Sequence, residues 1–296
     1  MTPVRGQGTK EKGDAGSAGG YGLGDVDVVL SVDAIERGAE ALGRPAPTVA
    51  QLDALIAGPP LLAVDGLRAG YGKMEILHGL DLRLGKGQSL CLIGPNGAGK
   101  STALHAIYGF ATVMGGRISV GGKDITALSP NRKLKEAGIA YVLQDNSVFP
   151  DMTVEENLWM GGFLLPDSAQ ARSAASHVLK RYPRLGERRR QPARVLSGGE
   201  RRLLEISRAL IMNPEVLLVD EPSIGLEPRY IDMVFSILED LQRREGKTIV
   251  MVEQNARRGL EFADIGYVLV SGQLAIAGPG RDLLADPEVG RLFLGG

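Results

Sequence analysis

Cysteine is almost absent from this chain of 296 residues, which has a single one, Cys91, inside the apolar run SLCLI. One thiol excludes a disulfide within the chain and a cysteine metal cluster, and its apolar neighbours make it a buried structural residue. Long apolar runs are missing too: no stretch approaches the roughly 20 residues that a membrane-spanning helix needs. The amino-terminal MTPVRGQGTKEKGDAGSAGGYG lacks the apolar core of a signal peptide. The expected location is cytoplasmic, with membrane association only through a partner. Positive charge is not in excess, since 34 Lys and Arg against 35 Asp and Glu leave a net charge of −1. That balance argues against a nucleic-acid-binding protein, whose domain is usually strongly basic. What is present is a 44% hydrophobic composition, enough for one large globular domain or two smaller ones.

Residues 1 to about 24 are rich in Gly, Ser, Lys and Asp without periodicity, which predicts disorder, because too little apolar surface is available to offset chain entropy. Within residues 25 to 58, VDVVLSVDAIERGAEALG and TVAQLDALIAG have helix-like apolar spacing, with Pro45, Pro47, Pro59 and Pro60 as breaks. The reading is an amino-terminal extension, residues 1–60, followed by one domain over residues 61–296. There, SLCLIG, IAYVLQ, VLLVDE and TIVMVE are apolar runs ending in polar or glycine residues, as strands of a covered parallel sheet do. RISVGGKDI, Arg117 to Ile125, reads as an edge hairpin turning at GG. Asp151 to Arg194 is helix-like and strand-free. The expected fold is α/β: a P-loop core with a parallel sheet, an antiparallel β edge and an inserted helical subdomain over about residues 145–210.

GPNGAGKST, from Gly94 to Thr102, follows a predicted strand and precedes a helical stretch, so it matches G-x-x-x-x-G-K-[ST] in the required context. Gly97 and Gly99 let the backbone approach phosphate oxygens, and the loop amides with the helix amino terminus supply partial positive charge. Gly94, Pro95, Asn96, Gly97, Ala98, Gly99, Lys100, Ser101 and Thr102 are thus the expected nucleotide-binding residues. Lys100 would reach the β- and γ-phosphates, and the Ser101 hydroxyl would ligate Mg²⁺. VLLVDEP then ends a buried strand in two carboxylates, a costly pair unless a metal or substrate stabilises it. In a Mg·ATP site Asp220 would hold the cation, and Glu221 would orient and activate the attacking water as general base.

LSGGERRLLEISRAL, Leu196 to Leu210, has an N-capping Ser197, two glycines and an amphipathic helix with Leu203, Ile206 and Leu210 on one face. A second anion-binding helix start asks for a second nucleotide or a second subunit. Together with the phosphate loop and the acidic strand, LSGGE resembles the signature of the ATP-binding cassette family over residues 61 to 296. That resemblance implies head-to-tail pairing of two cassettes, in which Ser197, Gly198, Gly199 and Glu200 face the ATP held by the opposite Lys100. It implies that Tyr71 stacks on adenine and that Gln144 touches Mg²⁺ and the attacking water. The run Asp145 to Leu158 would line the groove for a transmembrane partner, and SIGLEP, Ser223 to Pro228, would cross the dimer interface.

In most cassettes the strand after the acidic one ends in a histidine that contacts the γ-phosphate; the matching position here is Gln254. A glutamine amide donates a hydrogen bond but neither carries charge nor relays a proton as imidazole does. His78, His105 and His177 are read as loop or helix-surface residues rather than its replacement. VEQNA, GYVLVSGQLAIAG and VGRLFLGG resemble the LivF-like branch, which serves importers of branched-chain amino acids and related amides or urea. Typical members of that branch have Glu in place of Gln144 and Ala in place of Glu227. The implied function is a Mg²⁺-dependent ATPase, peripheral on the cytoplasmic face of the inner membrane. It would power amino-acid uptake through separate permease subunits, with a second ATPase as a heterodimer or homodimer partner and a solute-binding protein indirectly involved. Two alternatives stand beside it. One is a soluble cassette on nucleic acid or ribosomes, for which the Arg-rich Lys180 to Arg194 is the candidate surface, although no nucleic acid is expected. The other is a regulatory ATP-binding subunit with little hydrolysis.

Overall fold

The computed structural model describes residues 45–144 and 147–293. The disorder expected over residues 1–24 and the first of the two short helices expected over 25–58 lie outside these residues, as do Asp145 and Asn146. The second expected helix is α1, Val49–Asp53. Thr48 starts it with a capping box: its side chain accepts from the Gln51 amide, and the Gln51 side chain accepts from the Thr48 amide at 2.8 Å. Leu52 is fully buried.

Two sheets form the frame. The first is antiparallel, β2-β1-β4-β5, from β1 (Pro60–Tyr71), β2 (Met74–Gly85), β4 (Thr112–Val120) and β5 (Lys123–Asp124). Its β4–β5 turn is the expected GG hairpin, and Gly121 and Gly122 have φ of 54° and 78°, the two positive values a tight primed turn requires. The second has the order β10-β9-β3-β8-β7-β6. Here β3 (Ser89–Ile93), β6 (Ile139–Val142), β7 (Val216–Asp220), β8 (Thr248–Val252) and β9 (Ile265–Val270) run parallel, and β10 (Gln273–Pro279) is antiparallel to β9.

The apolar runs are buried on both faces because each strand separates two cores. Leu90 and Leu92 face the antiparallel sheet and α2 (Lys100–Tyr108), together with Leu62, Leu80 and Leu104. Cys91 and Ile93 face the opposite core, shared with Phe235 of α8 (Pro228–Arg243) and Leu260 of α9 (Ala256–Phe262). This alternation is the period of two that a strand imposes. A third core, with Val154, Leu158, Leu179, Leu203 and Ile211, joins α4 (Val154–Gly161), α5 (Ser168–Arg181), α6 (Pro183–Glu187) and α7 (Gly198–Leu210). The carboxyl ends of β3, β7 and β8 converge on one edge, where ligands of open α/β sheets bind.

One buried charge closes the far end of α2. Lys133, on α3 (Pro130–Ala137), is fully buried and donates from Nζ to Ile107 O at 2.7 Å and Ala106 O at 3.3 Å, neutralising the negative end of α2. Burial lowers its ammonium to about 8, whereas the unfolded chain keeps that proton up to about 10.4. Between those values the unfolded state binds more protons, so stability rises with pH. In chemical denaturation from pH 8 to about 10, the wild type is expected to gain stability relative to Lys133→Met. Parallel curves would contradict this.

Candidate functional site

The phosphate loop is shaped by backbone that only glycine adopts readily. Gly94, Gly97 and Gly99 have φ of 145°, 85° and 95°. A Cβ on Gly94 would lie 2.1 Å from Leu269 O, and one on Gly99 would lie 2.8 Å from Leu77 Cδ2. Ala98 N donates to Pro95 O at 3.2 Å, closing the turn, and Gly272 N donates to Ala98 O at 3.1 Å, tying the loop to the β9–β10 turn. Asn96 and Gly97 are exposed at its tip. Lys100 and Thr102 are buried in the first turn of α2. The Lys100 ammonium donates to Gly94 O at 2.8 Å and Pro95 O at 2.9 Å. Burial lowers its pKa, and the nearby Glu221 and Asp220 carboxylates oppose that shift.

Asp220 ends β7 and is only 3% exposed. Its Oδ1 accepts from Ser101 Oγ at 3.1 Å and its Oδ2 from the Tyr141 hydroxyl at 2.7 Å. Burial and the Asp220 charge push the Tyr141 pKa far up, so its hydroxyl stays a donor. Glu221 follows with φ of 42°, a left-handed conformation that non-glycine residues rarely hold. Its amide donates to Val252 O at 2.9 Å, and its Oε2 accepts from Gln144 Nε2 at 2.8 Å. The structure therefore brings Lys100, Ser101, Asp220, Glu221 and Gln144 together. The Ser101 hydroxyl and the Asp220 carboxylate are hard oxygens beside a phosphate loop, a donor set that fits a Mg²⁺ shared with nucleotide phosphates.

Gln254 stands two residues beyond Val252, exposed, at the same sheet edge. It forms no side-chain hydrogen bond among the described residues. The preceding Glu253 is buried and accepts from Ser223 Oγ at 2.7 Å and Asn255 N at 3.0 Å. Tyr71 ends β1 and is 43% exposed, with its hydroxyl 2.5 Å from His105 Nδ1. That contact corrects the reading of His105 as a surface residue. Its ring is half-buried among Tyr71, Phe110 and Tyr141, and burial lowers its pKa. His78 is also neither on a loop nor on a helix: it is on β2, beside Glu75 at 3.2 Å. His177 does lie on a helix surface.

Ser197 caps α7 with a full capping box, in which the Glu200 carboxylate accepts from Ser197 N at 3.0 Å. Glu200 also pairs with Arg188 at 3.0 Å. Its carboxylate thus shapes the turn, while Gly198 is exposed. Gly199 is covered by the Tyr230 ring, whose Cδ1 would be 2.1 Å from an added Cβ. Glu227 caps no amide with its side chain and pairs with Arg229 at 3.0 Å. Sequence reasoning missed Tyr141, Glu253, Arg202 and Glu205.

The comparisons with known proteins agree with this geometry. A profile described as "ABC transporter" matches residues 77–224. The chain is 42% identical over 236 residues to the high-affinity branched-chain amino acid transport ATP-binding protein BraG of Pseudomonas aeruginosa, covering 80% of this chain and all of that protein. It is 38% identical to a probable branched-chain amino acid transport ATP-binding protein, LivF, of Archaeoglobus fulgidus, covering 77% of this chain and 96% of the relative. Among solved structures, the ADP conformation of a cassette from an ABC transporter superposes with a TM-score of 0.72 at 29% identity, covering 81% of this chain and all of that one. A dimeric post-hydrolysis cassette bound to ADP and phosphate shares the fold, with a TM-score of 0.65 at 23% identity over 74% of this chain and 99% of that one.

Gly199→Ala is expected to destabilise the chain by about 1–3 kcal/mol by overpacking against Tyr230. A cycle with Tyr230→Ala should show positive coupling in thermal unfolding. Additive losses would contradict the contact.

Proposed function

Because the chain belongs to the ATP-binding cassette transporter family, we propose that it hydrolyses ATP to power uptake of branched-chain or related amino acids through separate transmembrane subunits. The two most informative relatives are named for branched-chain amino acid transport. Among the described residues no helix is long and apolar enough to cross a membrane. The chain would work at the cytoplasmic face of the inner membrane, with a second ATPase subunit beside it and a solute-binding protein delivering cargo to the permease.

The observation that carries the hydrolytic reading is the 2.8 Å bond from Gln144 to Glu221, beside Asp220 and Lys100. Glu221 acts as general base, holding the attacking water and accepting its proton, while Gln144 fixes the carboxylate that does so. Lys100 exchanges the Gly94 and Pro95 carbonyls for β- and γ-phosphate oxygens, so binding replaces one set of acceptors with a charged one. Gly94 through Thr102 cradle the phosphates, and Tyr71 leaves His105 to stack on adenine. Ser101, Asp220 and Gln144 would hold Mg²⁺, which when bound supplies positive charge that offsets the phosphate charge. Gln254 donates one hydrogen bond to the γ-phosphate. Ser197, Gly198 and Gly199 present the capped start of α7 to the nucleotide of the second ATPase subunit.

Three of the seven cations over residues 180–194 are paired within the chain. Arg188 pairs with Glu200, Arg194 with Asp151 and Arg181 with Glu245, as on a solvated helical face.

In vesicles holding the full transporter, Glu221→Gln should keep ATP binding while phosphate release falls about 10²–10⁴-fold and amino-acid uptake falls with it. Unchanged release and uptake would make this chain a regulatory subunit. Gln254→Ala should weaken ATP-state stabilisation by roughly 1.5–3 kcal/mol, tenfold or more in the ATP dependence of turnover. An unchanged rate and affinity would remove Gln254 from the site.

A further inference from the structure

Arg202 is a buried, multiply bonded charge outside the nucleotide loop. It sits on α7 past the Ser197 capping box, next to the apolar stripe of Leu203, Ile206 and Leu210, and is only 4% exposed. Its Nη1 donates to Leu143 O at 2.6 Å, to Gln144 O at 3.4 Å and to Glu205 Oε2 at 2.8 Å. Its Nη2 donates to Asp220 O at 3.0 Å. Glu205, itself 6% exposed, supplies the opposite charge within the same helix.

A buried ion pair is weak grounds for stability, because desolvating both charges offsets much of their attraction. What this pair provides is register among three elements. The Asp220 carbonyl belongs to the peptide that leads into Glu221, the residue held at φ of 42°. The Gln144 carbonyl belongs to the residue whose side chain bonds Glu221 Oε2. One planar guanidinium therefore grips the backbone on both sides of the Gln144–Glu221 contact, which a lysine's single ammonium does not match. The same helix begins at Ser197, whose capping box takes up the Ser197 and Glu200 amides and leaves those of Gly198 and Gly199 outside it. A shift of that helix start on engaging a nucleotide moves Arg202 with it, since α7 is one continuous hydrogen-bonded rod.

We propose that Arg202, with Glu205 as its counter-charge, is a positioning residue that couples the start of α7 to the Gln144–Glu221 pair. Hydrolysis at one nucleotide then depends on the same chain's α7 engaging the other. Arg202 acts through the two residues it orients. The inference rests on the reading of Glu221 as the general base.

The test uses the full-length chain assembled with its transmembrane subunits and second ATPase. Arg202→Met/Glu205→Leu keeps the core filled while removing both charges, and Arg202→Lys keeps charge without the fork. Both are expected to leave the thermal midpoint and the KM for ATP near wild type while kcat falls about tenfold or more, the pattern of an interaction that matters only in the transition state. The dependence of rate on ATP concentration should also lose its cooperativity. The proposal is overturned by wild-type kcat in either folded variant, or by a kcat loss that tracks lost nucleotide binding or lost thermal stability. Glu221→Gln run in parallel separates the two ideas. An inactive Glu221→Gln with fully active Arg202 variants removes only the coupling, whereas an active Glu221→Gln removes the base assignment and the coupling with it.

Discussion

The structure is organised around a carboxylate that should not be where it is. Asp220 ends a strand whose five residues are all buried, and an ionised group there is costly unless donors surround it. Ser101 Oγ and the Tyr141 hydroxyl each take one of its oxygens. Those donors arrive from α2 and β6, so the sheet order β8-β7-β6 and the packing of α2 beneath it are what make the charge tolerable. The two hydroxyls satisfy Asp220, and Ser101 would share a Mg²⁺ with it beside the phosphate loop. The strained backbone of Glu221 follows from the same constraint, since the chain must turn sharply out of the sheet to place a second carboxylate at the edge.

Three of the site's side chains have partners within the chain. Lys100 rests on two loop carbonyls, Tyr71 on His105, and Glu221 on Gln144. On the proposed function, nucleotide binding would be an exchange of partners, driven by the difference in affinity between the two arrangements rather than by the new contacts alone.

Much of this was legible in the residues. The glycines of the phosphate loop announce backbone that side chains would block, and the runs SLCLI, VLLVD and TIVMV read as buried strands because they are apolar on both faces. The capped LSGGE helix start is visible from Ser197 and Glu200 alone. Tyr141, Arg202 and Glu205 were not legible, because their roles depend on which carbonyl or carboxylate the fold places within reach. His105 was misjudged for the same reason: helical spacing fixes its face, but not that Tyr71 and Tyr141 close over it. The departure of Gln254 from the common cassette histidine, and of Gln144 from the glutamate typical of the LivF-like branch, were readable as identities, while the contact of Gln144 with Glu221 required the structure.

On the proposed function, Asp220 would anchor the cation that accompanies the nucleotide. Pulsed electron paramagnetic resonance of Mn²⁺ and ATP bound to the full-length Glu221→Gln chain tests it. The account predicts phosphorus couplings on the bound Mn²⁺ and an affinity that drops about tenfold or more when Asp220→Asn is added. Identical couplings and affinity in the Asp220→Asn chain would contradict it.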